Sequence, residues 1–352
     1  MPRDDTGIGY YTIKSFHSSN GVTNDVKIAY RSFNPSSTKG AVLIPTCELF
    51  PQLQQSTPTD ILNIGFGGRI NTTLNFTNGA LKDYHVIVVA MLGNGESSSP
   101  SNDDKFPADY SLRYEDCINS QYALVTQHLG IKSLEAVIGF SMGGQQAYYW
   151  SVMHGTGSNP FLKRSVVICG SAKTSGHNFA FLEGPITALL ESHDYDHGNY
   201  KRNGLNPTAG LKAFNRAYAA WLTSAAWFRQ ELWREQGKKS LDEWLKDNDD
   251  DDGWDAEDLL TLARMWQAGD VGKLDESGDY RKALGKVTAK VLVMPCVSDQ
   301  YFPSEDGEEE VKYLNNGRFN PIQSVWGHVA GGGGSSADRE WMDREIAMFM
   351  EE

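Results

Sequence analysis

A chain of 352 residues, 40% hydrophobic and 22% charged, can hold one large α/β domain with an insertion, or two ordinary domains, around a sizeable core. Its formal net charge of −13 repels phosphate backbones, so no nucleic-acid partner is expected. No apolar run approaches the ~18–20 residues that span a bilayer, so no membrane partner is expected either.

The first sixteen residues, MPRDDTGIGYYTIKSF, carry acidic side chains early and no apolar stretch of the signal-peptide kind, so the expected location is cytoplasmic. Short runs rich in Val and Ile then recur at 41–44, 86–89, 136–138, 166–168 and 291–294. Their near-continuous hydrophobicity is that of parallel strands covered on both faces. Between them lie segments with helical character, such as 114–129, where Gly130 stands as the C-terminal stop. This alternation predicts a doubly wound, mostly parallel α/β sheet.

From 174 to 284 the strand pattern disappears. Six of the nine tryptophans fall there: Trp221, Trp227, Trp233, Trp244, Trp254 and Trp266. The expected organisation is a core of 1–173 and 285–352 with a helical cap subdomain at 174–284. The cap aromatics either form the subdomain's own core or line an apolar pocket over a site, with Trp221 a candidate substrate-binding residue. A cap with much exposed aromatic surface would favour a homodimer.

The acidic run at 247–252 lacks the spaced ligands and final glutamate of a calcium loop and reads as a solvated loop. Cys47, Cys117, Cys169 and Cys296 lie far apart with no C-x-x-C pair, so neither zinc nor a disulfide framework is expected. The sequons at Asn71 and Asn75 are expected to be silent without a secretory signal.

One stretch carries chemistry. In EAVIGFSMGGQQAYYW, at 135–150, an apolar run gives way to a helical one through Gly139-Phe140-Ser141-Met142-Gly143, which fits G-x-S-x-G. The small residues allow a turn tight enough to hold the Ser141 hydroxyl out at the carboxyl edge of the sheet. The same turn aims the Met142 amide, at the head of the next helix, toward a developing oxyanion. A serine nucleophile needs a base and a group to orient it, in the order Ser, Asp or Glu, His. Asp299 sits where the strand VLVMP gives way to a loop, and His328 follows residues 322–326 (IQSVW), read as a short last strand, on a flexible loop. A second oxyanion donor is expected after the strand at 41–44, from the amide of Cys47 in preference to that of Thr46. The glycine-rich GFGG at 65–68 is a rival that reads better as a structural turn. Cys47 is not expected to act as a nucleophile, although its thiol can face the pocket.

GNGESSSPSN (93–102), GFSMGGQQAYYW (139–150), GLKAFNRAYAAW (210–221), PCVSDQYFP (295–303) and WGHVAGG (326–332) together resemble the homoserine O-acetyltransferase-like branch of the α/β-hydrolases. The resemblance implies the α/β-hydrolase fold and the triad Ser141, Asp299 and His328. That branch holds both acyltransferases and esterases. Where the transferases carry H-A-L-T-G and G-H-D, this chain reads PTCEL at 45–49 and GHV at 327–329, and Arg216 is the candidate for their substrate-binding arginine by position alone. The expected function is therefore hydrolysis of a small carboxylic ester, carrying a short acyl group, through an acyl-serine, with no cofactor and no metal. The alternatives are an O-acyltransferase that draws acetyl from acyl-CoA, and a non-catalytic ligand-binding or cyclisation protein on the same fold.

Overall fold

The computed structural model describes residues 6–47, 68–106, 111–247, 249 and 253–352. One sheet organises them. Its strands are β1 (Gly9–His17), β2 (Thr23–Phe33), β3 (Ala41–Pro45), β4 (His85–Val89), β5 (Leu134–Phe140), β6 (Arg164–Ile168), β7 (Lys290–Met294) and β8 (Gly317–Phe319). They lie in the order β1-β2-β4-β3-β5-β6-β7-β8. The pairs β1–β2 and β2–β4 are antiparallel and the rest are parallel. Every residue of β3 is buried, as its uninterrupted apolar sequence requires. The five expected strands are all present, and β5 is longer than its apolar centre.

Two features differ from the sequence reading. The hairpin β1–β2 was not foreseen, although Val26 and Ile28 alternate with polar residues and Asn20-Gly21 provides the turn, with Gly21 at φ +83°. The final strand is Gly317–Phe319, not 322–326. Pro321 has no amide to continue the ladder, so the chain returns to the sheet only at the single bridge Cys296–Ile322.

The helices on the core are α1 (Tyr114–Ala123) and α2 (Met142–His154). Between β6 and β7 the chain is helical: α3 (Gly176–Leu190), α4 (Thr208–Leu222), α5 (Ala225–Arg229), α6 (Leu241–Asp247), α7 (Ala256–Ala268) and α8 (Tyr280–Gly285). The core closes with α9 (Ser304–Val311) and α10 (Ser336–Glu351). Gly130, at φ +69°, ends the segment after α1, where a left-handed stop was expected.

Within the helical insert Trp227, Trp244 and Trp266 are fully buried, and Trp227 lies in ring contact with Phe228, Trp233 and Trp244. These aromatics are core filling. The well-exposed large apolar residues of the insert are Phe179, Leu205 and Leu241, of which one is aromatic. Among the described residues of the insert, the exposed aromatic surface on which a homodimer was argued thus comes down to Phe179. Asp249, from the acidic run, is not a solvated charge: Lys212 and Arg216 both pair with it. No described helix is long and apolar enough to cross a membrane.

Candidate active site

Ser141 joins β5 to α2 at φ 57° and ψ −124°, a left-handed conformation that a non-glycine residue adopts only under constraint. The glycines around it explain how. A Cβ on Gly139 would stand 1.9 Å from the carbonyl oxygen of Gly143, and one on Gly143 would stand 2.7 Å from that of Pro45. Only bare backbone lets α2 start so close to the ends of β5 and β3. The Ser141 amide donates to the carbonyl of Ile168 at 2.9 Å, tying the turn to β6. Its side chain is fully buried, and Oγ makes no hydrogen bond to a described residue.

Past β7, Asp299 sits in a turn that its own carboxylate organises: Oδ1 accepts from the amides of Tyr301 at 2.8 Å and Phe302 at 3.2 Å. The other oxygen, Oδ2, accepts from Nδ1 of His328 at 2.6 Å. His328 occupies a 3-10 turn, Gly327–Ala330, and is completely buried, which corrects the expectation of a flexible loop. The rings of Tyr301 and Phe140 close on its imidazole at 4.7 and 4.8 Å. With its proton on Nδ1, the imidazole presents Nε2 as the basic nitrogen. The structure thus brings Asp299 and His328 into contact and sets Ser141 directly after the phenylalanine that packs on the imidazole.

Cys169 joins this cluster, which sequence reasoning missed. It follows β6 directly at φ 44°, and its Sγ lies within 4.8 Å of a carboxylate oxygen of Asp299 and a ring nitrogen of His328. Burial, reinforced by the Asp299 charge, pushes its thiol well above the usual range. The only hint in the sequence is its place one residue past a strand end. These are the only described residues grouped so that they could hold a metal, but both Asp299 oxygens are already engaged.

Met142 is the first residue of α2, where amides have no partner within the helix. Thr46 donates its amide to Val89 at 2.9 Å, which removes it as an oxyanion donor and leaves Cys47 as the next amide along. The carbonyl of Thr46 accepts from Gln146 Nε2 at 3.0 Å, holding the segment after β3 against α2. Glu48, Leu49 and residues 65–67 lie outside the described residues. Beside Cys47 is an apolar cavity of about 30 Å³, lined among others by Ile44, Ile138, Phe140, Ile168 and Gly331. At ~10–15 Å³ for each water-sized group, it accommodates roughly two.

Arg216, expected to bind substrate, stands in an ion pair. Its guanidinium is bound by the carboxylate of Asp249, with Nη2 at 2.8 Å from Oδ2, and it does not line the cavity. Trp221 is also absent from that lining. It packs on His177 and Phe181 with centroids 5.5 and 4.9 Å apart, and Phe181 in turn packs on Tyr301.

A profile of the alpha/beta hydrolase fold family matches residues 61–209. The ethyl acetate hydrolase of Pseudomonas veronii is 34% identical over 278 residues, 76% of each chain. The homoserine O-acetyltransferase of Chloroherpeton thalassium is 25% identical over 88% of this chain and 80% of its own. Among solved structures, an acetylester hydrolase from Corynebacterium glutamicum superposes with a TM-score of 0.84 at 28% identity, covering 98% of this chain and 96% of the other. The chain belongs to the α/β-hydrolase family, on the branch that holds esterases together with homoserine O-acyltransferases.

Proposed function

We propose that this protein is a serine esterase that hydrolyses small carboxylic esters with short acyl groups, through an acyl-serine. The observation that carries the reading is the buried Asp299–His328 hydrogen bond of 2.6 Å beside the strained Ser141 turn. Asp299 holds His328 in the tautomer that can accept a proton on Nε2, and that nitrogen takes the Ser141 proton as Oγ attacks the ester carbonyl. The amides of Met142 and Cys47 receive the oxyanion, each good donor being worth roughly 3–4 kcal/mol. His328 then protonates the departing alcohol. Water repeats the cycle on the acyl-enzyme and releases the acid. The helical insert acts as the cap of the site. Similarity to an ethyl acetate hydrolase and to acetyl esterases supports hydrolysis over transfer, as do PTC and GHV where transferases carry other loops.

The test is a p-nitrophenyl ester series of increasing acyl length on wild type and Ser141→Ala. Acetate and butyrate should be cleaved and long chains refused, with kcat falling ~10⁴-fold or more in the variant. Ester cleavage that survives Ser141→Ala sinks the acyl-serine. Faster ester formation than acetate release from acetyl-CoA with an alcohol would favour the transferase instead.

A further inference from the structure

The turn that carries Asp299 and the turn that carries His328 are both held from the insert, at one place. Gln300, next to Asp299, donates from Nε2 to the carbonyl of Thr223 at 2.6 Å, and its own carbonyl accepts from His177 Nε2 at 2.9 Å. Thr223 and Ser224 form the junction between α4 and α5. Ser224 Oγ donates to the carbonyl of Val325 at 2.6 Å, three residues before His328. The backbone of Thr223 also presses on Gly327: a Cβ there would lie 2.6 Å from the Thr223 carbonyl carbon, and Gly327 takes φ +65°. Thr223 is fully buried and Ser224 nearly so, which seats this junction against the core. Within the core, Ser298 Oγ donates to Ser324 at 2.7 Å and accepts from the Gly327 amide at 3.1 Å. His177, Thr223 and Ser224 of the insert thus brace from outside two turns that Ser298 links within the core.

We infer that Gln300 is a positioning residue through which the seating of the cap sets the alignment of Asp299 with His328, so that a displaced cap weakens the base even where substrate still binds. The inference rests on the acyl-serine reading above. The side chain of Gln300 touches no reacting atom; it acts by holding Asp299. A misplacement of ~1 Å can cost ~100-fold in rate, so small shifts of the turn suffice.

The experiment compares wild type with Gln300→Met, which keeps the volume but removes the donor. For p-nitrophenyl acetate, kcat is expected to fall 10- to 100-fold with KM unchanged, and fluorophosphonate labelling of Ser141 to slow in proportion, while circular dichroism stays native. If Gln300→Met does not fold, Ser224→Ala, which frees the base turn from the same junction, should give the same loss in kcat alone. A folded variant with unimpaired kcat, or one in which only KM rises, overturns the inference. A wild-type protein that fluorophosphonate does not label at Ser141 overturns the acyl-serine reading itself, so the two failures are separable.

Discussion

Ser141 and Cys169 hold positive φ just past the ends of neighbouring strands; Cys169 lies against the Asp299–His328 pair, and Ser141 follows Phe140, whose ring packs on His328. Such conformations cost ~1–3 kcal/mol and persist only where the surroundings impose them. For Ser141 the imposition is visible in Gly139, which no larger residue can replace. Gly139→Ala should force the elbow open, lowering stability by ~3 kcal/mol or more in urea unfolding and abolishing fluorophosphonate labelling. Cys169→Val, which puts a branched side chain at φ 44°, should cost ~1–3 kcal/mol, whereas Cys169→Gly relieves the backbone. Equal stabilities for these two variants would mean the backbone at 169 is not strained. At this scale the motif was readable because the turn chemistry is local: a small residue on each side of a serine, after an apolar run. The Cys169 contact was not readable, because nothing in the neighbouring residues says what a strand end will face.

Among the elements, α9 is anchored by a group that titrates. Glu310 is buried, and its carboxylate accepts from the Ala172 amide at 2.8 Å, just beyond β6. Tyr148 of α2, the Lys173 amide and Asp306 of its own helix also face it. Burial pushes its carboxyl from 4.5 up to about 8. The folded protein thus holds this proton more tightly than the unfolded chain does. The stability this contributes is complete below pH 4.5 and is lost as pH rises to about 8. Glu310→Gln keeps an acceptor for Ala172 but no longer titrates. Between pH 5 and 8 the wild type should therefore lose stability relative to the variant, by at most about 1.4 kcal/mol per pH unit, as urea unfolding would register. A parallel pH dependence in the two proteins would place the titration elsewhere. The strands β3 to β7 were legible because each contains a continuous apolar run. The β1–β2 hairpin was encoded in alternation and an Asn-Gly turn that went unread, and Pro321 moved the last strand upstream.

For the whole molecule, the insert is fastened to the core along the loop GNGESSSPSN as well as at the Thr223–Ser224 junction. Asp258 of α7 accepts from the amide and hydroxyl of Ser101 at 3.0 and 2.5 Å, and Arg69 stacks over Trp254 at 3.4 Å. Ser101→Ala removes one of the two bonds to a buried carboxylate. It should lower the melting temperature by a few degrees, about 1–2 kcal/mol, and speed amide exchange in α7 more than in β5. Uniform exchange across the chain would show that insert and core unfold together.

The sequence by itself determined the strand–serine–helix turn, the alternation of parallel strands with helices, and the order of Ser141, Asp299 and His328 along the chain. The first two depend on residues close in the chain, and the third is the order of the chain itself. Only the tertiary structure decided that Arg216 pairs with Asp249, that the tryptophans of the insert fill its core, and that Gln300 meets Thr223. Those partners lie tens of residues apart, and their meeting is set by how whole helices pack on the sheet, which local patterning does not specify.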